Sequence, residues 1–231
     1  MALGCRIRRN FERPSKELVE AFRGIPIANI DDNCGKIAAV DSSIFPLNPK
    51  ARLLRTAFTV NAPAGDNLLF HAALDMAQPG DVIVLANKGS MSRALCGEIM
   101  SNYAKKRGLA GIIIDGCVRD SYTLSQMDFP VYAKGTCCNV GQISGYGAIN
   151  VPISCGKVQV SPLDVILIDG NGVAVVPYDD LERVYLKTKA MMETETNVSD
   201  KLKAGATIGK LIDIEKLMKS TFNYQEKALE K

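Results

Sequence analysis

The chain has 231 residues, 47% of them apolar and 23% charged, and 28 basic against 25 acidic side chains leave a formal net charge of +3. That composition supports a sizeable core and excludes long disorder, while so small a charge argues against a dedicated nucleic-acid binder with its dense basic face. No apolar run reaches the ~20 residues of a membrane span.

Arg6, Arg8 and Arg9 form a small basic cluster near the N-terminus, which reads as a solvated tail. Ser15 suits an N-cap for a short helix over residues 15–22, with Glu17 and Glu20 near its start. Residues 51–60 read as a strand, Pro63-Ala64-Gly65-Asp66 as a turn and residues 67–76 as a helix ended by Pro79-Gly80. The continuous apolar run at 82–86 predicts a buried strand. From about residue 94 to 107 the period becomes helical, with Ile99, Tyr103 and Arg107 on one stripe and Gly108 as the stop. Residues 110–114 form a second apolar run. Strand, helix, strand at this spacing is a right-handed βαβ unit.

The second half predicts strands at 131–133, 151–154, 158–160, 165–168 and 173–176. Asp169-Gly170-Asn171-Gly172 is a hairpin turn between the last two. A long helix follows over about 179–203, then a lysine-rich helical tail over 212–231. The expectation is an α/β chain, one domain over 1–231, with its core at about 25–178 and a helical C-terminal appendage at about 179–231.

The seven cysteines, Cys5, Cys34, Cys96, Cys117, Cys137, Cys138 and Cys155, are odd in number and none shows C-x-x-C spacing. They read as reduced, mostly buried thiols. Residues 1–10 lack the long apolar stretch of a signal peptide, so the expected location is cytoplasmic.

Candidate chemistry concentrates in the βαβ unit, because ligands settle where strands end and helices begin. Gly97 falls in the first turn of the predicted helix. There Gly97, Glu98, Ile99 and Met100 would turn free amides outward as an anion site. The next strand runs into Asp115-Gly116, and Val118-Arg119-Asp120 emerges at the same edge. The Arg119 fork suits a substrate carboxylate, and Asp120 suits a hard cation such as magnesium. Together they would grip an anionic 2-oxo acid. Spacing alone equally allows Arg119-Asp120 to be an ordinary surface turn.

Other candidates are weaker. His71, the one histidine, reads as a structural residue on its helix, and a single histidine leaves no second one for a triad elsewhere. Lys88 and Lys134 lack the apolar setting of a Schiff-base lysine. Gly145-Tyr146-Gly147 lacks the G-K-[ST] of a phosphate loop.

The run from Gly80-Asp81-Val82-Ile83-Val84 through Gly97-Glu98 to Ile114-Asp115-Gly116-Cys117-Val118-Arg119-Asp120 resembles the class II pyruvate aldolases that cleave 4-hydroxy-4-methyl-2-oxoglutarate. That family also contains RraA-like regulators of ribonuclease E. The likeness extends from about residue 25 to 205. It takes in Pro63-Ala64-Gly65-Asp66-Asn67, Asn150-Val151-Pro152-Ile153 and Asp169-Gly170-Asn171-Gly172-Val173. It implies a compact β/β/α fold, a trimer or hexamer, and carbon–carbon lyase activity with oxaloacetate decarboxylation. It also implies that the amides of Gly97 to Met100 and Arg119 hold pyruvate, that Asp120 binds magnesium or manganese, and that Glu98 and a neighbouring subunit's residue matching Glu195 lie near the metal. The chain departs from the aldolase pattern at Thr123, where aldolase members carry an acid and RraA-like members do not. A second departure is Lys88, at a position where small or acidic residues are common.

Overall fold

The computed structural model describes residues 6–9 and 11–222. In chain order its elements are β1 (Arg6–Ile7), α1 (Lys16–Glu20), α2 (Ile27–Asn33), β2 (Phe45–Pro46), β3 (Leu53–Asn61), α3 (Leu68–Met76), β4 (Val82–Cys96), α4 (Glu98–Lys106), β5 (Gly111–Val118), α5 (Ser121–Gln126) and β6 (Val131–Thr136). There follow β7 (Ala148–Ile149), β8 (Ile153–Cys155), β9 (Val158–Val160), β10 (Val165–Asp169), β11 (Gly172–Val176), α6 (Leu181–Lys203), α7 (Ile208–Leu211) and α8 (Ile214–Phe222). They belong to two compact units, Met1–Leu186 and Lys187–Lys231.

In the first unit β3, β4, β5 and β6 lie side by side and parallel. Because side chains alternate across a strand, Ile83 and Leu85 face one way and Val82 and Val84 the other. The first pair meets Leu69, Phe70 and Ala73 of α3 and Ala104 of α4. The second pair meets Ile153, Cys155 and Val160 of β8 and β9, and Ile166 and Val175 of the β10–β11 hairpin. The outer face of that hairpin, Val165, Leu167, Ala174 and Val176, is closed by Val19, Phe22, Ile27 and Ile30 around α1 and α2. Each fully buried side chain of this size contributes roughly 1.5–3 kcal/mol. The fold is therefore α/β, with strands layered on strands and helices across the other face of the parallel sheet.

β3 joins the two strand layers. Its residues Ala57 to Asn61 pair with β4, while Leu53 to Thr56 pair antiparallel with β10. The entrance to β4 is fixed by Asp81, buried at 1% exposure, which accepts two hydrogen bonds from Arg13 at 2.6 and 2.9 Å and one from the Gln78 amide at 2.9 Å. The bond to Asp81 raises the Arg13 pKa. The hairpin turn forms as the sequence predicts: Asp169 pairs with Gly172, and Asp169 Oδ1 accepts the Asn171 amide at 2.7 Å.

Several expectations are corrected. Arg6 is not in a loose tail: Arg6 and Ile7 add a short parallel strand beside Ala148 and Ile149, although the arginine side chains stay exposed. The strand expected at 82–86 runs on to Cys96, so the helix expected from residue 94 starts at Glu98. The extension is legible only in three dimensions, because it is irregular. Lys88 and Gly89 take left-handed conformations inside it, and its register with β5 shifts three times. Lys88 thus lies within the strand rather than in a loop beyond it. On α4 the stripe of Ile99 and Tyr103 faces outward, at 78% and 41% exposure, while Ser101 and Ala104 are buried. The strand expected at 151–154 covers Ile153–Cys155. The last helix is broken between Leu211 and Ile214. Its end beyond residue 222, like Cys5, lies outside the described residues. Among those residues no helix is long and apolar enough to cross a membrane.

Candidate active site

The C-terminal ends of β4 and β5 bring two short segments together. β4 ends at Cys96, and Gly97 stands before α4 in an extended conformation, φ −152° and ψ −164°. β5 ends at Val118, and the Arg119 amide donates to Cys96 O at 2.9 Å, which clamps the two segments in register. The chain then turns sharply. Asp120 is left-handed at φ 55° and ψ 37°, a region that aspartate enters more readily than most residues. That turn sends the carboxylate back toward α4, where its Oδ2 accepts the Glu98 amide at 2.9 Å. The Arg119 Nε lies 3.6 Å from the same oxygen.

This packing needs glycine at 97, and not for its dihedral angles, which any residue adopts. A Cβ there would lie 2.4 Å from Asp120 Oδ2 and 2.9 Å from Arg119 Cγ. The missing side chain is the space the carboxylate and guanidinium occupy. Gly97 is therefore the residue before the helix, not a member of its first turn, and the Glu98 amide is not free. Asp120 uses it as a cap supplied from another element.

Gly97, Ile99, Met100 and Arg119 line one pocket of about 200 Å³. The same pocket is lined by Ala94, Leu95 and Cys96 from the end of β4, by Val140, and by Asn67 and His71 of the α3 region. Burial pushes the Cys96 thiol up to about 12, against the pull of its contacts with Ser101 and Gly97 O. It is a protonated wall residue at neutral pH and not a nucleophile. The Glu98 side chain is exposed and is not among the residues lining this pocket. Glu195 lies on the α6 portion of the second unit and is exposed.

Sequence reading gave Asn67 no role and took His71 as structural; the structure places both at the pocket wall, with His71 exposed. The available signal was their spacing, since residues four apart share a helix face. Lys134 is held by Asp115 at 3.1 Å, which satisfies it as an ion pair. The loop at Gly145 has no room for a phosphate: Asp66 Oδ2 accepts the Ser144 amide at 2.9 Å, and a Cβ on Gly145 would lie 2.7 Å from Asp66 Cγ.

Among the described residues no group of three or more His, Cys, Asp or Glu side chains is arranged to hold a metal. Asp120 still fits a hard, water-rich cation. Among the described residues its Oδ1 accepts no hydrogen bond, while Oδ2 accepts the Glu98 amide, and magnesium is commonly held by one or two carboxylates with water and substrate completing its shell. Two larger cavities, of about 610 and 620 Å³, lie elsewhere in this unit. In the first, Arg55 is tied to Glu20 and Arg52 to the carbonyls of Pro49 and Ala51; in the second, Arg13 is tied to Asp81.

Comparison with known proteins supplies a frame for this geometry. The chain is 39% identical over 173 residues, 75% of its own length and 82% of the relative's, to a Halalkalibacterium halodurans protein named "Putative 4-hydroxy-4-methyl-2-oxoglutarate aldolase". Its fold matches that of RraAS2 from Streptomyces coelicolor, described as an unusual member of the RNase ES inhibitor RraA protein family. The TM-score is 0.73 and the identity 25%, over 82% of this chain and 100% of that one. A Pseudomonas syringae pv. tomato structure shares the fold at a TM-score of 0.76 and 24% identity, over 88% of this chain and 96% of that one. The RraA-like family model, described as Aldolase/RraA, matches residues 26–175. The chain belongs to the RraA-like family.

Proposed function

We propose that the protein is a divalent-metal-dependent lyase that releases pyruvate from 2-oxo acids of the 4-hydroxy-4-methyl-2-oxoglutarate type and also decarboxylates oxaloacetate. The observation that carries this reading is that Arg119 and the start of α4 line one small pocket, with the Asp120 carboxylate, itself outside the pocket lining, held against both by the Glu98 amide and Arg119 Nε. Asp120 would hold magnesium or manganese. When bound, such a cation supplies Lewis acidity toward the substrate's 2-oxo group. Arg119 and the amides of Ile99 and Met100 bind the pyruvyl carboxylate and meet the negative charge that develops beside it when the carbon–carbon bond breaks. Gly97 leaves the room in which Asp120 and Arg119 come together beside the start of α4. Glu98, and Glu195 from a second copy, would move protons at the rim. We place the enzyme in the cytoplasm as a homotrimer or homohexamer. Exposed Ile99, Tyr122, Val140 and Ile143 are apolar surface that a second copy would cover.

Pyruvate release from oxaloacetate and from 4-hydroxy-4-methyl-2-oxoglutarate, with magnesium or manganese and then with excess EDTA, tests this. EDTA-sensitive release from both is the expected result. No release from either, in folded and metal-supplied protein, would overturn it.

A second reading is favoured by Thr123, which stands on α5 where aldolases carry an acid, and by the likeness to a protein of the RNase ES inhibitor family. On that reading the chain binds a ribonuclease and has no turnover. Recovery of a ribonuclease on the immobilised protein, together with no pyruvate release, would support it over the first.

A further inference from the structure

Three sulfur atoms meet away from the pocket of Arg119, and none of their residues lines it. Cys117 stands near the end of β5 and is buried. Its thiol points at Met91, with Sγ 3.5 Å from Met91 Sδ and 3.5 Å from Met91 O. Met91 comes from the irregular part of β4 and is 52% exposed. Cys137 supplies the third sulfur. Cys117 pairs with Gly135 across the β5–β6 ladder, and residues two apart on a strand share a face. Cys137 therefore follows Gly135 on the side where Cys117 lies. Its amide donates to Val118 O at 2.9 Å, which holds it against β5, and the two thiols are in hydrogen-bonding contact. Glycine at 135 makes the room. A Cβ there would lie 2.4 Å from Met91 Cε, 3.7 Å from Met91 Sδ and 3.9 Å from Cys117 Sγ, so the thioether fills the space of a missing side chain.

The donors select the ligand. A hard cation such as magnesium takes oxygen. Zinc asks for four donors, drawn from thiolate, imidazole and carboxylate. Thiolate and thioether together suit the soft cuprous ion. Spacing agrees, since three sulfurs about 2.3 Å from one ion would lie ~4 Å apart, a short adjustment from the 3.5 Å between Cys117 and Met91. The way in is Met91 itself. Its flexible side chain covers the buried Cys117 from the solvent side, so the cover that moves to admit an ion is also a ligand to it. Burial, and then the neighbouring Cys137, raise the Cys117 pKa to about 11. Cys117 is thus a thiol at neutral pH until a metal displaces its proton.

We propose that Met91, Cys117 and Cys137 form a binding site for a cuprous ion, held by two thiolates and one thioether with release of the two thiol protons. Copper keeps its single positive charge throughout, so the step needs no oxidant or reductant. The site stands independently of the oxo-acid reading.

The test is a competition for copper. Fully reduced protein under argon is titrated with cuprous ion in the presence of bathocuproine disulfonate, a chelator that colours when it holds the ion. The wild type should withhold a single ion per chain. Cys117→Ser and Cys137→Ser should each weaken binding by more than the ~10–100-fold that follows loss of a group which only orients a ligand. Met91→Leu, which keeps an apolar side chain of similar size over Gly135, should weaken it by about tenfold. Cys34→Ser and Cys138→Ser change thiols outside the group and should stay within about twofold of wild type. No ion withheld by the wild type, or undiminished binding by Cys137→Ser, would overturn the site. So would a loss in Cys138→Ser as large as that in Cys137→Ser, which would make the binding a property of the adjacent Cys137-Cys138 pair. Thermal melts of the copper-free proteins accompany the titration, because Cys117→Ser puts a hydroxyl into a buried position. Should that variant not fold, Cys137→Ser and Met91→Leu, at more exposed positions, decide the outcome.

Discussion

Asp120 Oδ2 accepts the backbone N–H of Glu98 at 2.9 Å, so a residue that follows β5 caps the helix that follows β4. On the proposed function one carboxylate has two duties: Oδ2 fixes the start of α4, and Oδ1 would meet the cation. The duties separate by substitution. Asp120→Asn can keep an oxygen on the Glu98 amide but loses the charge a hard cation needs. It should melt within ~0.5 kcal/mol of wild type and lose nearly all pyruvate release. Asp120→Ala should lose the cap as well, at ~1 kcal/mol. Thermal melts run beside the oxaloacetate assay check both, and an active Asp120→Ala protein would refute the site.

Gly97→Ala tests the same contact from the other side. Because φ at Gly97 is ordinary extended backbone, the added methyl is not strained by its own dihedrals. Its cost comes from meeting Asp120 Oδ2 at 2.4 Å and Arg119 Cγ at 2.9 Å. The acid must move, and a displacement on the order of 1 Å at a reacting centre is worth roughly a hundredfold in rate. Stability should fall by ~1–3 kcal/mol, as for other overpacked sites. Unchanged kcat/KM would show that the approach of Asp120 to the start of α4 is not needed.

Arg119→Lys separates charge from geometry. A lysine keeps one positive charge and loses the planar fork that matches both oxygens of a carboxylate. If Arg119 positions the pyruvyl carboxylate, KM for oxaloacetate should rise about tenfold or more, the equivalent of ~1.4 kcal/mol. A KM within twofold of wild type would mean that the guanidinium only packs against Gly97.

The central sheet, and with it the edge that carries the candidate site, was legible in the sequence for one reason: apolar runs such as 82–86 and 110–114 are long enough to be read as buried strands, and Gly108 and Asp169-Gly170-Asn171-Gly172 mark turns by their backbone demands. What followed Ala86 was not legible. The next residues, Asn87-Lys88-Gly89-Ser90, are polar and carry no alternation, yet they remain in the sheet. Asn87 is buried, accepts the Gly65 amide at 2.9 Å and thereby ties β4 to the turn before α3. Local pattern has no access to that tertiary bond. The same holds for Asn67: its neighbours announce a helix start, but only the fold shows that its Nδ2 donates to Leu95 O and that, among the described residues, its buried oxygen has no hydrogen-bond partner. Spacing put Arg119 and Asp120 at the sheet edge but left a plain surface turn equally open, and only the resemblance singled them out as candidates, whereas the capping of Glu98 by Asp120 depends on a left-handed turn that no spacing encodes.

The Arg13–Asp81 pair predicts a stability effect far from the pocket. Asp81 is 1% exposed and keeps, without Arg13, the Gln78 amide at 2.9 Å and Thr56 Oγ1 at 3.3 Å. Arg13→Ala would strand a buried charge. Since the Arg13 side chain is itself 37% exposed, the loss should be ~2 kcal/mol, below the 3–5 of a fully buried pair. Arg13→Met with Asp81→Leu should cost less than the two single changes added together. Urea denaturation of the four proteins closes the cycle, and additive losses would show that the pair is not coupled.

Asp164 gives the pH dependence a sign. It is buried at 4% exposure, and its oxygens accept the Ser161 amide at 2.7 Å and the Tyr178 amide at 2.9 Å. Burial raises its pKa and outweighs those two bonds, which lower it. The native state therefore holds this proton more tightly than the unfolded chain does. By linkage, the stabilisation is fully present below the ordinary carboxylate value and is lost as pH rises through the raised native value. Asp164→Asn removes the titration and offers only one acceptor oxygen to two amide donors, a change worth ~1–2 kcal/mol. The other carboxylates titrate alike in both proteins and cancel in the difference. The stability gap between wild type and Asp164→Asn, read from urea melts across acidic to neutral pH, should therefore narrow as pH rises. A gap that widens with pH would mean that the two amides, not burial, set the ionisation of Asp164.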